Sequence, residues 1–153
     1  MPTDADLAFT AQQVAEMAAR LRLSSTRLAR RLRQQAGTGH TPSQLSALAT
    51  VERHGPLTLG ALAEHERVAP PSITKLLAKL EADGLVERAT DPDDRRVQRV
   101  SITKAGSDLM AESRRRKTTW LTARIRELPP EEQARLADAL DVLDHLTTQD
   151  DLP

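Results

Sequence analysis

Between Leu57 and Thr103 the hydrophobic period changes twice, and this restricts the folds open to the chain. Thr58 is placed to cap a short helix running through Glu66, because a hydroxyl ahead of a helical apolar pattern accepts a free first-turn amide. After a short connection a second helix starts near Pro70, since proline is tolerated in a first turn and disfavoured deeper in. That helix is expected to bury Ile73, Leu76, Leu77 and Leu80 and to stop at Gly84, which can take the left-handed conformation. Beyond it the chain extends over Leu85–Arg88, turns at Asp91-Pro92-Asp93-Asp94-Arg95, and extends again from Val97 to Ile102. Two extended segments around a Pro/Asp turn predict a hairpin. The order helix, turn, helix, hairpin is that of a winged helix-turn-helix, a mainly α fold with a small antiparallel β wing.

The flanks are helical. From about Leu7 to Gln35, Val14, Met17, Leu21, Leu28 and Leu32 are spaced for an apolar stripe, with residues 1–6 expected to fray and Ser24-Ser25 marking a candidate bend. Arg20, Arg22, Arg27, Arg30, Arg31 and Arg33 fill its other faces. Gly37-Thr38-Gly39 ends this element, and Thr41 with Pro42 starts a capped helix carrying Leu45, Leu48 and Val51 to His54. Gly55-Pro56 breaks it, and Leu57 can add a third short strand to the hairpin. Thr103 is the expected cap of a long helix with Leu109, Trp120, Leu121 and Ile125. Pro129-Pro130 separates it from a last helix, Glu131 to about Thr148, with Leu136, Leu140, Leu143 and Leu146. Glu131 and Glu132 suit the positive first turn of that helix. The terminal stripes exceed what a small winged unit can cover, so a second copy is their expected partner. Three regions result: a dimerisation helix over 1–40, the winged unit over 41–103, and dimerisation helices over 104–153.

Composition narrows the chemistry. Of 153 residues 39% are hydrophobic, yet there is one Phe, one Trp and no Tyr, so the core must be aliphatic. The absence of cysteine excludes disulfides, thiolate metal sites and a cysteine redox switch. With no apolar run near the roughly 18 residues of a membrane span and no signal peptide in view, the expectation is a cytoplasmic protein. Net charge is zero but unevenly spread: residues 1–60 carry seven Arg or Lys against four Asp or Glu, and residues 127–153 carry one against eight. Nucleic-acid binding requires local positive potential rather than a basic total.

Burying 73, 76, 77 and 80 turns Pro71, Ser72, Lys75, Ala78 and Lys79 outward, with Thr74 at the border. Small residues near the helix N-terminus allow close entry into a major groove. Ser72 and Thr74 can bond a base or a phosphate, Lys75 can reach a guanine edge or the backbone, and Lys79 suits a phosphate. Asp93-Asp94-Arg95-Arg96 combines a tight turn with two guanidiniums, and arginine suits a narrow, electronegative minor groove. Asp94 is expected to fix the loop, by pairing with Arg96 or through an Asx-type backbone bond. Arg53, Arg67 and Arg88 are candidate phosphate contacts. The plainer account is a solvated charged helix face and an ordinary charged turn.

This stretch resembles the MarR family of bacterial transcriptional regulators. The likeness covers the helix opening at Pro70, the segment Leu80-Glu81-Ala82-Asp83-Gly84-Leu85-Val86, and Asp94-x-Arg96 followed after five residues by Ile102-Thr103 and Lys104-Ala105-Gly106. Ile102 stands where the family usually has Leu. The resemblance implies a triangular homodimer with intertwined terminal helices, binding a pseudo-palindromic operator, usually as a repressor, and at the nucleoid when so bound. It places Ser72, Thr74 and Lys75 in the major groove, with Arg96 and Arg95 at the minor groove. It also implies a candidate small aromatic or anionic effector, although few aromatic side chains exist to stack on one.

His40, His54, His65 and His145 show no metal-ligand spacing among themselves, so no cofactor or metal is expected. No phosphate loop, nucleophile elbow or secluded acid/base pair points to an enzyme. The main alternative is a winged helix used for protein contact or as a scaffold. Lys75, Lys79, Arg88, Arg95 and Arg96 oppose it, since a protein-binding face there would expose apolar residues.

Overall fold

The computed structural model describes residues 9–148. In chain order it contains α1 (Ala11–Gln35), α2 (Pro42–His54), β1 (Leu57–Thr58), α3 (Leu59–Glu66), α4 (Pro70–Ala82), β2 (Val86–Thr90), β3 (Gln98–Ile102), α5 (Lys104–Arg126) and α6 (Pro130–Thr148). Threonine hydroxyls set the starts of four helices. Thr10 and Thr41 form reciprocal capping boxes with Gln13 and Gln44, while Thr58 and Thr103 accept from the Ala61 and Gly106 amides. The expected helix start at Leu7 and the fraying of residues 1–6 lie outside the described residues. Among those described, α1 begins at Ala11 and runs unbroken through Ser24-Ser25, where a bend was a candidate. Serine has no proline-like clash, so its presence alone does not interrupt a ladder.

The sheet is antiparallel in the order β1-β3-β2, with Leu57 opposite Val100 and Val86 opposite Ile102. Leu57 thus supplies the expected third strand. One aliphatic core joins α2, α3, α4 and the sheet: Leu48, Val51, Leu62, Ile73, Leu77, Leu80 and Val100 are all essentially fully buried. Leu76 departs from expectation and is only half-buried. It lies at the edge of the α4 stripe, beside the polar start of α2, and so borders solvent. Neither α1 nor α6 contains a buried residue.

A corner built around Thr103 joins α4, the β2–β3 hairpin and α5. Gly84, at φ 72°, takes the left-handed conformation that turns the chain from α4 into β2. Thr103 donates its hydroxyl to the Gly84 carbonyl at 2.6 Å and its amide to the Leu85 carbonyl at 3.0 Å. Gly106 then passes so close to Leu85 that a Cβ would collide with its carbonyl oxygen. Further along α5, Arg114 forks onto Glu52 of α2 at 2.7 and 3.2 Å, and Arg116 donates to the Gly37 carbonyl at 3.2 Å. Helix α5 therefore grips both the winged unit and the end of α1.

Candidate nucleic-acid interface

Helix α4 begins with Pro70 and Pro71, neither of which has an amide hydrogen to satisfy, and Ala69 caps it without a side-chain bond. Pro71, Ser72, Thr74, Lys75 and Lys79 are all exposed, as Ala78 is. Ser72, Lys75 and Lys79 line one groove with Thr41 and Gln44 of α2. Lys75 has no carboxylate partner among the described residues, so its ammonium is available. The Thr74 hydroxyl donates to the Pro70 carbonyl at 3.0 Å. It therefore offers an outside ligand acceptor lone pairs and a methyl group, which suits contact with a thymine methyl. Lys79 pairs with Asp83 at 2.8 Å, and Asp83 also meets His40 Nε2 at 3.2 Å. These partners, Lys79 foremost, hold the Asp83 carboxyl below its usual range.

Two aspartates organise the wing. Asp91 is buried at the end of β2, where its Oδ1 accepts the amides of Asp93 at 2.8 Å and Asp94 at 3.1 Å. Its Oδ2 pairs with Arg99 of β3. Arg99 chiefly, and then the two amides, depress the Asp91 pKa. Asp94 accepts the Arg96 amide at 3.0 Å and its Nε at 3.2 Å, so the ion pair and the Asx-type bond expected from sequence both occur. Arg96 lowers the Asp94 pKa by side chain first and by amide second. The Arg96 side chain remains 91% exposed despite this pairing. Arg95 is exposed and has no carboxylate partner among the described residues.

The three outlying arginines differ. Arg53 ends α2 and Arg67 caps α3 in the left-handed conformation, both exposed. Arg88 is half-buried on β2, its Nε 3.1 Å from Glu81 Oε2 but not aligned for a hydrogen bond. Its charge is turned toward α4. Sequence reasoning missed Asp91, Arg99 and the His40–Asp83 contact. An Asp preceding Pro at the end of a strand, diagonal to an Arg across the hairpin, was a readable signal for the first pair; nothing local marked the second. His54 and His65 stack with ring centroids 4.8 Å apart. No group of three or more His, Asp or Glu among the described residues is placed to hold a metal ion. None of the described helices is long and apolar enough to cross a membrane.

A helix α4 exposing Pro71, Ser72, Thr74 and Lys75, a hairpin with a braced cationic tip and a three-stranded sheet define a winged helix-turn-helix, the fold of a DNA-binding transcriptional regulator. The chain belongs to the MarR family, whose model matches residues 40–97. It is 40% identical over 130 residues to the HTH-type transcriptional regulator MT0903.1 of Mycobacterium tuberculosis, covering 84% of this chain and 91% of that one. The HTH-type transcriptional repressor MdtR of Bacillus subtilis is 38% identical over 68 residues, 44% of each chain. A MarR family protein from Bacillus stearothermophilus superposes with a TM-score of 0.74 at 27% identity, over 92% of this chain and 99% of the other. A Staphylococcus aureus MepR mutant bound to an oligodeoxyribonucleotide shares the fold, with a TM-score of 0.69 at 22% identity over 91% and 99% of the two chains.

Proposed function

We propose that the protein is a sequence-specific repressor that binds a pseudo-palindromic operator as a homodimer. The observation that carries this reading is the pairing of an exposed Ser72–Lys75 segment with a wing whose tip is held by Asp91 and Asp94. In this reading Ser72, Thr74 and Lys75 enter the major groove, Arg95 and Arg96 reach the minor groove, and Lys79, Arg53 and Arg67 meet phosphates. Arg88 has the weakest claim to such a contact, because Glu81 already faces it. The repressor sign follows the name of the B. subtilis relative. The terminal helices supply the dimer, since α1 and α6 contain no fully buried residue within one chain. Release by a small anionic ligand fits the hollow at the α1–α2 linker, where Arg33 and His40 lie together.

Selection of bound sites from a random duplex library, followed by footprinting, tests the reading. The expected product is an inverted repeat with half-site centres one helical turn apart, about 34–36 Å. Enrichment of no duplex, or saturation at a single unrepeated half-site, would overturn it.

A further inference from the structure

The linker between α1 and α2 carries a side chain that reaches the far end of α4. His40 Nδ1 lies 2.7 Å from the Thr38 carbonyl oxygen, and its Nε2 lies 3.2 Å from Asp83 Oδ2. The Thr38 hydroxyl also accepts the His40 amide at 3.3 Å, so ring and backbone are fixed within one tight turn. Both ring contacts are with acceptors. A neutral imidazole has one N–H and fills only one of them, whereas the imidazolium has two and fills both. The His40 side chain is only 14% exposed, so water is a poor substitute for the contact left unfilled.

Asp83 is the C-cap residue of α4, and its other oxygen, Oδ1, holds Lys79 at 2.8 Å. Lys79 first and His40 after it keep the Asp83 carboxyl below its usual range, so it stays ionised near neutral pH and serves both. With His40 neutral, that carboxylate balances the Lys79 ammonium. With His40 charged, one anion faces two cations, and Lys79 is held less firmly. Facing the linker from other elements are Arg33 of α1, which lines the same hollow, and Arg116 of α5, which Glu112 holds against the Gly37 carbonyl. Of these side chains, imidazole is the one whose ordinary charge change falls between about pH 5 and 8.

We propose that His40 is a proton-operated control on the contact between Lys79 and DNA: charging the ring closes it onto Thr38 and Asp83 and releases the Lys79 ammonium to a phosphate. This rests on the DNA-binding reading and adds a signal, the proton, with the three side chains that carry it. Linkage fixes the sign. The charged ring and the phosphate each favour the arrangement in which Lys79 leaves Asp83, so falling pH tightens DNA binding and bound DNA favours the charged ring.

Affinity of the full chain for a selected duplex, titrated over several salt concentrations at about pH 6 and about pH 8, tests it. The wild-type protein should bind about threefold to tenfold more tightly at the lower pH, the factor expected of partly exposed ion pairs. Its salt slope should steepen by about one unit per bound copy, because each freed Lys79 neutralises a further phosphate. His40→Gln, which keeps a neutral polar side chain, should bind at both pH values as the wild-type protein does at the higher one. Asp83→Asn leaves the ring able to charge but frees Lys79 throughout, so it should bind at the tighter level at both. Lys79→Gln should bind weakly and lose the change in slope, whereas His54→Gln/His65→Gln should keep the full pH step. Circular dichroism checks the folding of each variant. A pH step as large in His40→Gln or in Asp83→Asn as in the wild-type protein overturns the control while leaving DNA binding intact. A protein that binds no duplex at either pH removes the DNA reading, and the control with it.

Discussion

At the wing tip, two carboxylates act as structural anchors in a loop that would approach a polyanion. Asp91 ties the turn amides to Arg99, and Asp94 holds Arg96 by amide and guanidinium together. Asp94→Ala should therefore weaken operator binding even though it removes a negative charge. Salt-dependent titrations on matched duplexes decide this, and tighter binding at every salt concentration would mean that Asp94 merely decorates the surface. Arg95→Ala should lower affinity for all duplexes and reduce the salt slope by about one unit, the signature of a lost phosphate or minor-groove cation. Lys75→Ala should cost about 1–3 kcal/mol per half-site and relax preference at one position, as loss of a guanine contact would. The wing also has a pH dependence of defined sign. Asp91 has a depressed pKa in the folded state, so its contribution is complete above the usual carboxylate range and is lost as pH falls through the depressed value. Amide exchange at Asp93 and Asp94 should accelerate over that acid window, and Asp91→Asn should flatten the dependence.

At the scale of elements, α4 is oriented by its junction with the wing and α5. Gly84 permits the turn, Thr103 bonds across it, and Gly106 lets α5 start against the Leu85 backbone. These contacts give a physical reason for Thr and Gly at these places in Ile102-Thr103-Lys104-Ala105-Gly106. Gly106→Ala, though favourable for helix propensity, should destabilise the protein by about 1–3 kcal/mol through overpacking. Thermal unfolding would show it, with the exposed neighbour substitution Ala105→Ser as a near-neutral control. Unchanged stability in Gly106→Ala would mean that the Leu85–α5 approach can relax at no cost.

For the whole molecule, the distribution of burial is decisive. The aliphatic core lies within α2, α3, α4 and the sheet, reaching α5 at Met110, while α1 and α6 contain no fully buried residue. Obligate dimer interfaces commonly cover more than about 2,000 Å², an area that two exposed helices of this length can supply. Sedimentation at low micromolar concentration should give twice the 16.8 kDa chain mass. A stable folded monomer there would contradict the assembly. Helix α5 carries the connection between the two regions, through Arg114 to Glu52 and Arg116 to Gly37, so movement of the terminal helices would be felt at α2.

What was legible from sequence was local in origin. Threonine caps at Thr41, Thr58 and Thr103 act within one helical turn, apolar periods report the face an element must bury, and the Pro/Asp turn sets the hairpin. The brace between Asp94 and Arg96 was legible for the same reason, the two residues being neighbours in one loop. Tertiary structure decided the rest. It placed Leu76 at a polar boundary and brought His40 to Asp83 across 43 positions. A charged side chain can choose among many partners, and only the packed core settles which carboxylate comes within reach. Periodicity therefore identified which faces need partners, while assembly of the fold determined which of them the chain satisfies by itself.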